Sequence, residues 1–192
     1  MGTKGEQTKQ VILDCAKELF AENGFTKVTM KDICEKTGLS RGGLYRHYGS
    51  TELILEDLFR EMSQDNCRFL YQKMKKGIAA TTLLEEEFNI LEKEMADQKS
   101  SLSLAIYEYA VTKEQTLFEH LNEIGRRKWE ALLNYGIARG EFKRVATEPI
   151  IDIILYSYQG VRLWSRIITI DRPHIHQMLE TIKDMLLVDT NA

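Results

Sequence analysis

The stretch from Thr29 to Tyr48 constrains this chain more than any other. It sets two short helical patterns on either side of a turn at Gly38-Leu39. Thr29 suits an N-cap, because its hydroxyl can accept from an amide left unpaired in the first helical turn. Asp32, three residues on, puts an acid where a helix N-terminus is positive. Ile33 and Cys34 give this helix an apolar side. Gly38 suits the left-handed conformation that ends a helix. Leu39 can fill the gap between the two helices. Ser40 can cap the second helix, which leaves Arg41 in its first turn. This is helix-turn-helix grammar, in which the second helix enters the major groove by its N-terminal residues.

That second helix is poor as a purely structural element. Gly42 and Gly43 each cost about 1 kcal/mol against Ala in a helix interior. Small residues do let a helix backbone approach another surface closely. Leu44 is expected to face inward, with Arg41, Tyr45, Arg46, His47 and Tyr48 crowding the rest of the turn. Guanidinium groups and Tyr hydroxyls are phosphate and base-edge partners. The residues read as contacting DNA are Thr29, Lys31, Ser40, Arg41, Gly42, Gly43, Tyr45, Arg46, His47 and Tyr48. The bland alternative is an ordinary helical hairpin with a solvated polar face.

Residues 8–60 resemble the DNA-binding domain of the TetR/AcrR family of bacterial transcriptional repressors. The resemblance is carried by Ile12, Ala16, Leu19, Phe20, Gly24, Phe25, Thr29, Ile33, Cys34, Gly38, Leu39, Ser40, Gly43, Leu44, Tyr45, His47, Tyr48, Glu52 and Leu53. One position departs from it. The family carries a Lys just before the acid that opens the fourth helix, and here that residue is Thr51. The resemblance makes Thr51 a further DNA-contact candidate, through its hydroxyl or through the helix N-terminus it sits on.

Charge is distributed in keeping with that reading. The chain of 192 residues carries a net charge of -3. Residues 1–50 hold eight Lys or Arg against six Asp or Glu, whereas the remainder holds eighteen against twenty-three. Phosphate attraction needs a local basic patch, and an acidic remainder limits indiscriminate binding. No stretch reads as a signal peptide, since Asp14, Lys17 and Glu18 interrupt the first apolar run. The most apolar segment, 150–170, is broken by Asp152, Arg162 and Arg166 and falls short of a membrane span. Cys15, Cys34 and Cys67 are too few and scattered for a disulfide framework or a zinc site. A cytoplasmic chain with no metal and no cofactor is the expectation.

Helical spacing accounts for nearly the whole chain, so the expected fold is all-α with nine helices in two domains. Residues 1–50 form a three-helix DNA-binding domain, and 51–192 form a helical effector-binding and dimerisation domain. Val11, Ile12, Cys15, Ala16, Leu19 and Phe20 make the core face of the first helix. The fourth helix begins at Ser50, carries Leu53, Ile54, Leu58 and Phe59, and links the two domains. Glu85, Glu86 and Glu87 read as a solvated face, as does the basic triplet Arg126-Arg127-Lys128. The eighth helix, after Thr147, is apolar on most sides and must be covered all round. A second copy of the chain is the expected cover, as the resemblance also implies; a buried central helix in a monomer is the alternative. The expected partner face is Ile151, Leu155, Tyr158 and Arg162 on the eighth helix, and Ile175, Met178, Leu179, Ile182, Met185 and Leu186 on the ninth.

No catalytic constellation stands out: there is no Gly-rich phosphate loop and no nucleophile elbow. Cys67, Tyr71, Met74, Phe88, Met95, Tyr107, Phe118, Trp129, Tyr156 and Trp164 lie on helices four to eight. Such residues are ordinarily plain core; the resemblance implies that some of them surround a small-molecule effector. The expectation is a homodimeric, DNA-binding regulator that represses from a near-palindromic operator on double-stranded DNA and is released by such an effector. Two other readings stay open on the sequence alone. One is a helical small-molecule-binding protein or enzyme with a vestigial helix-turn-helix, and the other is an adaptor that hetero-assembles through the eighth helix.

Overall fold

The computed structural model describes residues 4–97, 101–113 and 116–188, and within them every side chain except those of 62–66, 116–118 and 120. Among these residues the chain forms α1 (Lys4–Asn23), α2 (Met30–Thr37), α3 (Arg41–Tyr45), α4 (Thr51–Lys75), α5 (Ala80–Ala96), α6 (Ser103–Thr112), α7 (Thr116–Ala138), α8 (Thr147–Trp164) and α9 (Arg172–Leu186). The fold is all-helical. The extended pairing among the described residues is one isolated antiparallel bridge between Phe142 and Leu187. The chain divides into two compact units, Met1–Met62 with Lys99–Glu119, and Ser63–Gln98 with His120–Ala192. The division falls within α4 and within α7.

In the first unit, Ile12, Leu13, Ala16 and Phe20 of α1 are fully buried, and Ile33, Leu44, Ile54 and Leu55 join them in having no exposed surface. The stripes are rotated from the sequence expectation. Val11 and Leu53 are each half exposed, and Leu13 and Leu55 take their places in the core. Adjacent apolar residues compete for one inward position, and spacing alone does not decide between them. The unit also takes in α6, which the sequence reading placed with the C-terminal domain. Phe25 meets the edge of Tyr109 with ring centroids 5.1 Å apart. The Tyr109 hydroxyl donates to Glu56 Oε1 at 2.6 Å. Glu108 Oε2 accepts from both the amide and the hydroxyl of Thr26, each at 2.9 Å.

The second unit is built on a core from α5 (Leu83, Leu84, Phe88, Met95), α7 (Trp129, Leu132, Leu133), α8 (Ile150, Ile151, Ile154) and α9 (Ile175, Leu179, Ile182, Leu186). Two surface assignments give way here. Glu87 is buried and pairs with Lys128, itself nearly buried and seated over the Trp129 ring. A buried carboxylate needs such a partner, since removing either one strands a charge out of water. After α7 the chain turns back through Gly140, at φ +70°. The carbonyl of Gly136 accepts from the amides of Glu141 and Phe142 at 3.0 and 3.2 Å. That turn presses the Phe142 ring onto Gly136, where an added Cβ would lie 2.1 Å from Phe142 Cδ2. Only a residue without a side chain lets the ring fill the core there. Gly136→Ala is expected to lower stability by about 1–3 kcal/mol, the usual cost of overpacking, read as a drop in the thermal midpoint. An unchanged midpoint would mean the ring packs elsewhere.

Candidate nucleic-acid interface

The local chemistry of α2 and α3 fixes the geometry of the site. Thr29 and Asp32 form a reciprocal capping box: Asp32 Oδ2 accepts from the Thr29 amide at 2.8 Å, and Thr29 Oγ1 accepts from the Asp32 amide at 3.3 Å. The Thr29 hydroxyl also donates to Asp32 Oδ2 at 2.7 Å. These bonds hold the Asp32 carboxyl below the usual carboxylate range, so it stays ionised at the positive helix end. Gly38, at φ +72°, stops α2. Ser40 Oγ then accepts from the Gly43 amide at 3.2 Å and starts α3.

The two glycines of α3 have different environments. A Cβ at Gly43 would sit 3.3 Å from Ser40 Oγ and against the Leu39 side chain, so the cap itself favours glycine there. A Cβ at Gly42 would meet nothing within 4 Å. The fold makes no demand for glycine at 42; a close-approaching outer surface would.

Leu44 is fully buried and anchors α3. Arg41, Gly42, Tyr45, Arg46 and His47 are exposed, with Tyr45 47% accessible. Thr29, Lys31 and Ser40 are exposed beside them, and Lys31 pairs only loosely with Glu35 at 3.6 Å. Thr51, half-buried, opens α4, with its hydroxyl 3.4 Å from Glu52 Oε2. Tyr48 differs from the sequence expectation. It is 5% exposed, and its hydroxyl donates to Asp57 Oδ2 at 2.6 Å. Burial first, and the adjacent Asp57 second, push its phenol well above the ordinary range. Lys9 Nζ reaches the same Asp57 oxygen at 2.6 Å. Tyr48 therefore ties the end of the α3 turn to α4 and α1, and its ring is spent on the core. Sequence reading missed this because Asp57 lies nine residues on, beyond any local pairing pattern.

Residues 12–58 match the family model described as bacterial regulatory proteins, tetR family. The chain belongs to the TetR family of transcriptional regulators. It is 29% identical over 150 residues to the uncharacterised HTH-type transcriptional regulator YfiR of Bacillus subtilis, covering 74% of this chain and 70% of that one. It is 29% identical over 147 residues to the HTH-type transcriptional repressor KstR2 of Rhodococcus jostii, covering 74% and 70%. A TetR-family regulator from Agrobacterium tumefaciens shares the fold at a TM-score of 0.80 and 16% identity, over 96% of this chain and 100% of that one. The family and these relatives are transcriptional regulators, so the enzyme reading is set aside. No described helix of this TetR-family chain is long and apolar enough to cross a membrane.

The other expected sites are dispersed. Of the effector-pocket candidates, Phe88, Met95 and Trp129 are packed in the core of the second unit, Phe88 and Trp129 with ring centroids 5.8 Å apart. Met74 packs against that core, Cys67 is half-buried, and Tyr71 is 39% exposed. Tyr107, Tyr156 and Trp164 are more than half exposed and line no interior. The side chain of Phe118 lies outside the described residues. Of the expected partner face, Ile151, Ile175, Leu179, Ile182 and Leu186 fill the chain's own core and are not available to a second copy. Leu155, Tyr158 and Met178 are half-buried against that core, Arg162 is buried, and Met185 is 41% exposed. The expectation chose the inward face of an all-round apolar helix, whose two faces the pattern could not tell apart.

Arg41→Ala and Tyr45→Ala are expected to stay within about 0.5 kcal/mol of the parent in thermal melts, as exposed substitutions do. Tyr48→Ala is expected to lose about 3–5 kcal/mol, as aromatic truncations in a core do. Equal losses at all three positions would overturn the division between outward and inward residues. Asp57 adds a pH dependence. Burial alone would raise its pKa, but the bonds from Lys9 and Tyr48 outweigh this and bring it below the ordinary 3.8. A depressed carboxylate stabilises fully above its unfolded pKa, and that stabilisation fades as pH falls below it through the folded value. Melts between about pH 5 and 3 should show the parent losing stability more steeply than Asp57→Asn.

Proposed function

We propose that this TetR-family regulator acts as a homodimeric repressor that leaves a near-palindromic operator when a small-molecule effector binds the second unit. The observation that carries the proposal is the outward set on α3 and the turn that ends it: Arg41, Tyr45, Arg46 and His47, exposed together around an anchored Leu44. Two guanidinium groups, a phenol and an imidazole on one exposed surface suit phosphate oxygens and base edges. Thr29, Lys31 and Ser40 flank that set and would position the backbone, with Gly42 and Gly43 permitting close approach. The Thr51 hydroxyl would stand where relatives of this family present a Lys.

A dimer is supported by the opposite face of α8 from the one expected. Ile153 (39% exposed), Tyr156 (62%) and Trp164 (55%) recur at helical spacing with Gly160, and Ile167 (73%) follows them. On α9, Met185 and Val188 are also exposed. A run of large apolar side chains on one side of a helix marks a surface that is covered in the working protein. Pairing of two chains would set two α3 helices at a fixed separation of about one turn of DNA. An effector can drive release only if it binds the DNA-incompetent state better. Repression is supported by the printed role of one relative, the KstR2 repressor.

Trp164→Glu is expected to shift the protein from dimer to monomer in analytical ultracentrifugation and to weaken operator binding at least tenfold, while the far-ultraviolet spectrum stays helical. A variant that remains dimeric would move the interface elsewhere. Binding of the parent to the DNA upstream of its own gene is expected to fall by about 10³–10⁵ between about 50 and 200 mM salt, the signature of six to ten phosphate contacts. Salt-insensitive binding would count against the assignment of the α3 surface.

A further inference from the structure

Arg162 is the one residue of the expected partner face that carries a charge, and it points inward. It is 8% exposed on α8, on the same side as Ile151, Ile154 and the buried Ser165. Its Nη1 donates to the Tyr158 hydroxyl, and its guanidinium carbon lies 4.8 Å from the centroid of that ring. The Tyr158 hydroxyl in turn donates to Glu94 Oε2 of α5 at 2.6 Å. No carboxylate among the described residues pairs with Arg162 directly, and its Nε is buried without a hydrogen-bond partner. Arg166, in the turn that follows α8, is half-buried and has contacts of its own.

A buried guanidinium without a counter-ion is costly: a charge out of water needs a partner of opposite sign and filled hydrogen bonds. Tyr158 supplies one neutral acceptor and passes the remaining interaction to Glu94. Burial raises the Tyr158 phenol far above neutrality, so the ring stays protonated and supplies no charge. The side-on edge of the guanidinium, from Nε to Nη2, is the part that matches a planar carboxylate with two parallel bonds. The helices that carry this cluster also supply core residues of the second unit, Met95 on α5 and Leu155 and Val161 on α8. The partner face of α8, at Ile153, Tyr156 and Trp164, is on the other side of the helix, so a second copy of the chain is poorly placed to fill the gap.

We propose that Arg162, oriented by Tyr158 and Glu94, is the anion-binding point for a small organic carboxylate with an apolar body. The proposal rests on the reading that the second unit binds an effector, and it names that effector's chemical class. An amide of the same shape can accept one bond from this edge but brings neither the negative charge nor the second parallel acceptor, so it would bind more weakly than the acid.

The test uses the full chain and a series of straight-chain carboxylates from butanoate to dodecanoate, each against its uncharged amide. Binding is read by thermal shift and by quenching of tryptophan fluorescence, and operator release is read in parallel by gel shift. At least one carboxylate is expected to bind tenfold or more tightly than its amide, and Arg162→Gln should remove that preference while Arg162→Lys keeps part of it. The comparison of acid with amide in the parent protein needs no variant, so a misfolded Arg162→Gln does not blunt it. Equal binding of acids and amides, or no binding by any acid, overturns the proposal. Amides that bind and release the operator as well as acids do would leave the effector reading standing and sink the anion site. Acids that bind through Arg162 without moving the operator would support the site and sink the effector reading.

Discussion

The hydrogen bond from Tyr48 to Asp57 is the contact on which the presented surface depends. α3 is five residues long and carries two glycines, so it has almost no intrinsic stability of its own. It persists because both ends are held. Ser40 caps its start, Leu44 is sunk in the core, and the turn that follows is tied by Tyr48 to a carboxylate on α4 that Lys9 of α1 also grips. With the inward residues so fixed, Arg41, Tyr45 and His47 have no inward option. Their exposure is a consequence of the anchoring and not of their own chemistry.

The same unit extends past the helix-turn-helix. Glu108 of α6 takes two hydrogen bonds from Thr26, at the loop between α1 and α2, and Tyr109 and Lys113 bond Glu56 and Glu52 of α4. Two residues of α6 and the residue that ends it brace the loop and the fourth helix at once. A Cβ at Gly24 would collide with the Glu108 carboxylate, and the glycine there also sits at φ +80°. The left-handed conformation is what demands glycine there, since a carboxylate at the end of a flexible side chain can move aside.

Much of this was legible in the residues themselves, and the reason is locality. The Thr29 cap, the acid at Asp32, the Gly38 stop and the Ser40 cap are interactions within four residues, and they stand where the spacing put them. What was not legible depends on partners far along the chain. Tyr48 looked like one more polar side chain on the recognition turn until Asp57 was brought beside it. Glu87 and Lys128 looked solvated because each sits in a run of like charges, and only the packing of α5 near α7 pairs them. Val11 and Leu13 flank the buried Ile12 on either side, so periodicity left the edge of the stripe uncertain by one step. On α8 the failure was of another kind: a helix apolar on both sides gives no sequence signal for which side is inner, and the expectation took the inner face for the outer one. Arg162 was misplaced for the same reason.

The central claim is that anchored recognition turns, held in pairs, read DNA in successive major grooves. Hydroxyl-radical footprinting of the protein on the DNA upstream of its own gene tests it most directly. The account predicts two protected patches of equal strength, related by a two-fold axis and centred about one helical turn, roughly 34–36 Å, apart. A single protected patch, or protection spread evenly along the fragment, would contradict it.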